Sequence, residues 1–281
     1  MALTLKQVGY SYGEDTHFAQ RALSGVDLRI EVGELTLVLG KTGAGKSTLL
    51  KVAAGMLAPT EGDVRLEDVR VERMIAGTEG GVGLVFQSPE TQLFADTVLD
   101  DVAFGPRNQG LGEAEAREAA RQAIAEVGLD PDTFGHRSPF GLSGGEARRI
   151  ALAGVLAMRP RYVLLDEPTA GLDASGRAAV RAIIAKMRSQ TGIVVVTHDA
   201  EEYLPVADSV CILREGAVAF SGSPVALARD PGAFARAGIE PPDIVRIQLL
   251  ARERGFSIDC VAFEPAAAAA LLLEARAGGT S

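Results

Sequence analysis

The chain has 281 residues, enough for one large domain or one large and one small. Asp and Glu outnumber Lys and Arg by 37 to 28, a net charge of −9 that argues against non-specific nucleic-acid binding, which needs basic surface to displace counterions. Cys211 and Cys260 lie far apart without metal-ligand spacing, so a disulfide scaffold is excluded and a reducing compartment is expected.

The N-terminal stretch MALTLKQVGYSYG has no basic region followed by an apolar one, so no signal peptide is expected. No apolar run approaches the roughly 18 residues that span a bilayer. Any membrane role is therefore expected to be peripheral, through a partner. LTLKQVGYSY and GVDLRIEVGE alternate apolar and polar residues and predict strands. LTLVLG (35–40) is a continuous apolar run, the pattern of a fully buried strand. KSTLLKVAAGML then has helical spacing, and GDVRLE and VGLVF read as further strands. The region from about 89 to 158 reads as mostly helical, with an amphipathic helix at 113–128 ending at Gly128. YVLLDE (162–167) and IVVVTHD (193–199) are buried-type strands separated by a helix over about 174–190. Strands alternating with helices predict an α/β fold with a parallel sheet. Beyond about 223 the pattern gives short helices broken by prolines, then a terminal helix.

GKTGAGKST at 40–48 fits G-x-x-x-x-G-K-[ST] with Gly40, Gly45, Lys46 and Ser47; Lys41, Thr42, Gly43, Ala44 and Thr48 complete the loop. The glycines let backbone N–H groups turn around phosphate oxygens, Lys46 reaches the terminal phosphates, and the Ser47 hydroxyl can bind Mg²⁺. A buried strand before it and a helix after it are the required flanks, and the helix N-terminus adds partial positive charge. YVLLDE places Asp166 where it can hold Mg²⁺ through water. Glu167 then stands at a strand's carboxyl end, where it can orient and deprotonate an attacking water. His198 ends another buried strand and can contact a γ-phosphate.

LSGGE (142–146), taken with the phosphate loop, LLDEP, GLD and TH in this order, resembles the nucleotide-binding subunits of ATP-binding cassette (ABC) transporters over about residues 2–225. The resemblance implies a P-loop NTPase core, an N-terminal antiparallel β subdomain, a helical signature subdomain (about 89–158) and a small C-terminal α extension (226–281). It implies two subunits facing head to tail, a homodimer or a pair with a paralogue. Each ATP lies between one phosphate loop and the other subunit's signature. Tyr12 matches the aromatic that stacks on adenine, with Tyr10 as the alternative. Gln87 matches the glutamine that links Mg²⁺ and the attacking water to the transmembrane partner. Ser143 and Gly145, flanking Gly144, match the residues that reach the opposite γ-phosphate. Asp173 matches the loop coupling the two sites, Glu167 the catalytic base and His198 the switch histidine. The signature usually ends in Gln, and here it ends in Glu146. Ser143 followed three residues later by Glu forms a capping box, so Glu146 is expected to point away from the nucleotide.

FQSPETQLFADTVLDDVAFGPRNQGL (86–111) narrows the resemblance to the ATPases of energy-coupling factor (ECF) transporters, which import vitamins or Ni²⁺/Co²⁺. In that group two ATPases sit under a membrane scaffold subunit that recruits a small substrate-binding membrane protein. The resemblance implies a peripheral place on the cytoplasmic face of the membrane. It makes Glu90, Gln92, Leu93 and Phe94 candidates for docking the scaffold's arginine-bearing coupling helices. The alternative is that Leu93 and Phe94 pack inward, and Asp100 and Asp101 either add negative field or form a solvated helix face. Residues after about 225 are expected to dimerise. A conventional ABC importer or exporter remains the rival. A soluble ABC protein is disfavoured, because the chain has one cassette and no long coiled coil.

Overall fold

The computed structural model describes residues 2–13, 19–71, 78, 80–88 and 92–278. Strands β1 (Ala2–Tyr12) and β2 (Gln20–Glu31) pair antiparallel, and their alternation buries Leu3, Leu5, Val26 and Ile30 on one face. β3 (Leu35–Leu39) is buried at every position and runs through the phosphate loop into α1 (Lys46–Ala53). β4 (Glu61–Leu66) and β5 (Val69–Arg70) complete the antiparallel sheet in the order β2-β1-β4-β5.

β6 (Val82–Val85) leads into the helical region, which comprises α2 (Val98–Asn108), α3 (Glu113–Glu126), the short α4 (Pro131–Phe134) and α5 (Gly144–Leu156). Val98, Val102, Ala116, Ala120, Ile124 and Ile150 join these helices through one apolar cluster. β7 (Tyr162–Asp166), α6 (Ala174–Met187), β8 (Gly192–Val196) and the one-turn α7 (Ala200–Tyr203) follow. β9 (Ser209–Arg214) and β10 (Ala217–Gly222) close a second sheet of order β10-β9-β3-β8-β7-β6, parallel except for β10. Its central strands are buried at every position, which is why they read as nearly continuous apolar runs. Their shared direction brings Gly40, Gln87, Glu167 and His198 to one edge, the carboxyl end where α/β sheets bind ligands.

The β9–β10 hairpin lies outside the sequence-based expectations. Its two-residue turn, Glu215–Gly216, has φ of 51° and 79°, the pair of positive values that a type I′ turn requires. Cys211 is fully buried on β9, and burial pushes its thiol up to about 12, so it serves as a small apolar core residue.

The C-terminal helices α8 (Pro224–Arg229), α9 (Gly232–Arg236), α10 (Asp243–Glu253) and α11 (Pro265–Gly278) follow the proline-broken pattern. They share the main core, because Leu227, Phe234, Val245 and Val261 belong to the apolar cluster of the parallel sheet and the helical region. Glu201, on α7, accepts from the backbone N–H groups of Asp243 (2.5 Å) and Ile244 (3.4 Å) and so caps α10. The fully buried Gln248 donates to Ile244 O and Ala262 O and accepts from Ala262 N, each at 2.8 Å. Gln248→Leu leaves the Ala262 amide groups unpaired in the interior, an expected loss of about 2 kcal/mol in urea unfolding. A loss below about 0.5 kcal/mol would mean water replaces the side chain.

Candidate active site

The phosphate loop is held in shape by its own backbone needs. Gly45 has φ of 98°, and a Cβ there would lie 2.5 Å from Ala22 O, so only glycine fits. A Cβ on Gly40 would meet Leu213 O at 2.7 Å. Lys46 Nζ crosses the loop and donates to Gly40 O (2.7 Å) and Lys41 O (3.0 Å). Burial lowers the Lys46 pKa, and the negative charges of Glu167 and Asp166 oppose that shift. Ala44 is buried beneath the loop, whereas Thr42, Gly43, Ser47 and Thr48 face a cleft of about 480 Å³ together with Lys46.

The same cleft is lined by Tyr12, Gln87, Asp166, Glu167 and His198. Ser47 Oγ donates to Asp166 Oδ2 at 2.6 Å. Burial raises the Asp166 pKa, and the Ser47 hydrogen bond partly offsets this. A cation beside these oxygens would relieve that penalty, and hydroxyl, carboxylate and amide oxygens are the donors Mg²⁺ takes. Glu167 is buried and tightly held: Thr197 Oγ1 donates to Oε2 (2.9 Å) and His198 N to Oε1 (3.0 Å), with His198 Nδ1 2.7 Å from Oε1. Its backbone is left-handed, φ 48°, an uncommon state for a non-glycine residue. The His198 side chain is 72% exposed and reaches into the cleft from the next strand. Tyr12 Oη lies 3.1 Å from Thr48 Oγ1, and its ring meets Tyr10 edge-on at 4.9 Å. Tyr12 faces the cleft, whereas Tyr10 packs against the core below the antiparallel sheet.

The signature residues do not line this cleft, so one chain alone does not bring them to its own phosphate loop. Ser143 is the N-cap of α5, accepting from Glu146 N at 3.3 Å, while Glu146 Oε2 accepts from Ser143 N at 2.7 Å. Arg137 lies 3.6 Å from the other Glu146 oxygen, and the Ser143 bonds hold the Glu146 carboxyl below its usual pKa. The carboxylate is thus folded back on the cap. Among the described residues nothing lies within 4 Å of where a Cβ on Gly144 would stand, and one on Gly145 would meet the Gly176 backbone at 3.9 Å. Asp173 caps α6 by accepting from Gly176 N at 2.7 Å and is exposed.

The stretch after Gln87 separates the docking candidates from one another. Glu90 lies outside the described residues. Leu93 packs in the main core beneath the helical region, and its outer edge lines a groove shared with Gln87, Phe140 and Leu142. The Gln92 amide is spent on the end of β6, accepting from Phe86 N (3.2 Å) and donating to Leu84 O (3.5 Å). Phe94 is 57% exposed and meets Phe104 edge-to-face at 4.8 Å. Asp100 pairs with Arg107 (3.0 Å) and Arg117 (2.8 Å), and Asp101 accepts from Phe94 N (2.8 Å) and Ala95 N (2.9 Å). Both acids are therefore engaged within the fold, neither a free negative field nor a merely solvated face. A groove of about 600 Å³ lies beside the cleft, and Gln87 stands in the wall between the two.

A family model described as ABC transporter matches residues 23–170. The energy-coupling factor transporter ATP-binding protein EcfA2 of Streptococcus sanguinis (strain SK36) is 42% identical, across 92% of this chain and 94% of its own length. EcfA2 of Symbiobacterium thermophilum is also 42% identical, across 96% of this chain and 95% of its own. Among solved structures, cbiO1 from Clostridium perfringens, part of the ABC transporter complex cbiONQ, is 31% identical with a TM-score of 0.70, covering 89% of this chain and 98% of that one. The ATP-binding cassette MJ0796, a dimer in a post-hydrolysis state bound to ADP and Pi, is 28% identical with a TM-score of 0.70, covering 79% and 98%. Alike in cassette fold and in sequence along most of its length, the chain belongs to the ATP-binding subunits of the ABC transporter family.

Proposed function

We propose that this chain is the ATP-hydrolysing subunit that powers import through an ECF-type transporter, at the cytoplasmic face of the membrane. The observation that carries the chemistry is the convergence of Lys46, Ser47, Asp166, Glu167 and His198 on one cleft. Backbone amides of Gly40–Thr48 and Lys46 hold the phosphates, and Tyr12 stacks on the base. Ser47, Asp166 and Gln87 would hold Mg²⁺, which when bound supplies positive charge to the phosphate oxygens. Glu167 takes the proton of the attacking water, and His198 keeps its carboxylate aligned and faces the γ-phosphate.

In the proposed assembly a second ATPase subunit supplies Ser143, Gly144 and Gly145 to the opposite γ-phosphate, and Asp173 joins the two sites. The exposure of Ser143, Gly144 and Asp173, and the helix caps made by Ser143 and Asp173, support that role. ATP then closes the pair because it touches the closed state more than the open one. The C-terminal helices extend the contact between subunits, and Ile247 and Leu250 on α10 are exposed apolar residues suited to it. No helix among the described residues is long and apolar enough to cross a membrane, which fits attachment through a scaffold subunit that in turn holds a substrate-binding membrane protein.

Co-purification from membranes tests the assignment. Recovery of a scaffold subunit with a small substrate-binding membrane protein is expected. Recovery of a standalone ABC permease instead would favour the conventional importer or exporter. Phe94→Ser should lower recovery of the scaffold about tenfold or more, the cost of removing one well-placed interface aromatic. ATPase activity of the isolated subunit should stay within about twofold, since the ring lies outside the cleft. Unchanged recovery would remove Phe94 from the docking surface.

A further inference from the structure

We infer that Arg148 is a positioning residue for hydrolysis, a buried guanidinium that locks the signature helix to the two loops carrying Gln87 and Glu167. This rests on the reading of the cleft as an ATPase site.

Arg148 lies on α5, five residues after Ser143, and is 5% exposed. An arginine on a helix that follows an exposed cap would ordinarily snorkel to water. This one runs inward. Its Nη1 donates to Gln87 O at 2.7 Å and more weakly to Phe86 O at 3.4 Å, and its Nη2 donates to Ala170 O at 3.2 Å. Burying a charge is costly, and the carbonyls of Gln87, Phe86 and Ala170 offset that cost at Nη1 and Nη2.

The acceptors are main-chain carbonyls on separate segments. Gln87 follows β6 and turns its side chain to the cleft. Ala170 belongs to the turn after β7, and its N–H donates to Glu167 O at 3.2 Å. Two hydrogen bonds therefore connect Arg148 to the backbone of Glu167. Three residues beyond Ala170 the same loop reaches Asp173, the N-cap of α6. A planar guanidinium can span two carbonyls at fixed angles, whereas an ammonium is a single point of donation. The side chain thus fixes the separation of the Gln87 and Glu167 loops. It also makes any shift of α5 a shift of both. The geometry matters because sub-ångström errors between water, base and phosphate cost orders of magnitude in rate.

The test uses the full-length protein with ATP and Mg²⁺. Arg148→Met should lower kcat about tenfold or more, with Arg148→Lys in between, while the ATP KM and Mg²⁺-free binding of a fluorescent ATP analogue stay within about twofold. Millimolar methylguanidinium, entering from the groove that Arg148 lines, should restore part of kcat to Arg148→Ala. If Arg148→Met fails to fold, Arg148→Gln, which keeps an amide donor, carries the same comparison. Unchanged kcat in the folded variants overturns the inference. So does a parallel loss of nucleotide binding and thermal stability without rescue, which would mark plain packing. Glu167→Gln is run alongside. If it retains turnover, the reading of the site fails; if it is inactive while the Arg148 variants are normal, only the role of Arg148 fails.

Discussion

Replacing Glu167 by Gln is expected to lower ATP hydrolysis by about 10²–10⁴-fold, the contribution of a placed general base. ATP binding should persist, because in the proposed site the phosphates are held by Lys46 and the loop amides rather than by Glu167. Gln keeps the size and shape of the side chain. Its carbonyl can still accept from Thr197 Oγ1 or His198 N, which lie 2.9 and 3.0 Å from the present oxygens, so the strand end should hold its form. With ATP bound and unspent, the proposed bridge across two subunits has no way to break. The variant should therefore elute as a dimer in ATP and Mg²⁺ during size-exclusion chromatography, where the parent chain cycles and separates. Phosphate release at a tenth of the parent rate or more would refute Glu167 as the base.

Gly45→Ala is expected to abolish nucleotide binding and to destabilise the fold by about 2–3 kcal/mol, combining left-handed strain with a backbone clash. The new methyl would lie 2.5 Å from Ala22 O and 3.1 Å from Leu23 Cδ2, both on β2. Relief requires moving α1 away from that strand, which draws Lys46 and Ser47 off the phosphates. Gly43→Ala supplies the control. Its φ is also positive, 82°, but nothing lies within 4 Å of the added carbon, so only the strain of about 1–2 kcal/mol applies. Equal losses for the two variants in urea unfolding would show that the contact with Ala22 carries no weight.

The parallel core was legible because both faces of its strands are covered. LTLVL, YVLLD and GIVVV are buried at every position, with Thr36 the one polar residue inside a run, and Asp166 at the end of β7 and His198 two residues past β8 line the cleft. The capping box at Ser143 and Glu146 was legible for the same kind of reason, being a local pattern with a local cause. What could not be read depends on contacts far apart in the chain. The loop from Gln92 to Phe94 has no periodicity, so the inward turn of Leu93 and the outward turn of Phe94 follow from the helices above them. The choice of Tyr12 over Tyr10 as the cleft-facing ring needs the position of the phosphate loop. The buried place of Arg148 has no local signal, since its acceptors lie 61 and 22 residues away. The β9–β10 hairpin did have one: a Glu-Gly pair between two apolar runs, with φ positive at both positions.

The left-handed backbone of Glu167 carries a consequence for engineering. Glutamate adopts that conformation at a cost, whereas glycine adopts it freely and asparagine tolerates it well. A library of this protein screened only for heat resistance sets that backbone relief against the hydrogen bonds from Thr197 Oγ1 and His198 N, so asparagine, which keeps an acceptor, should be enriched over glycine at position 167. Under the proposed role of Glu167 as the base, the winners would be sturdier cassettes that bind ATP and hydrolyse it far more slowly.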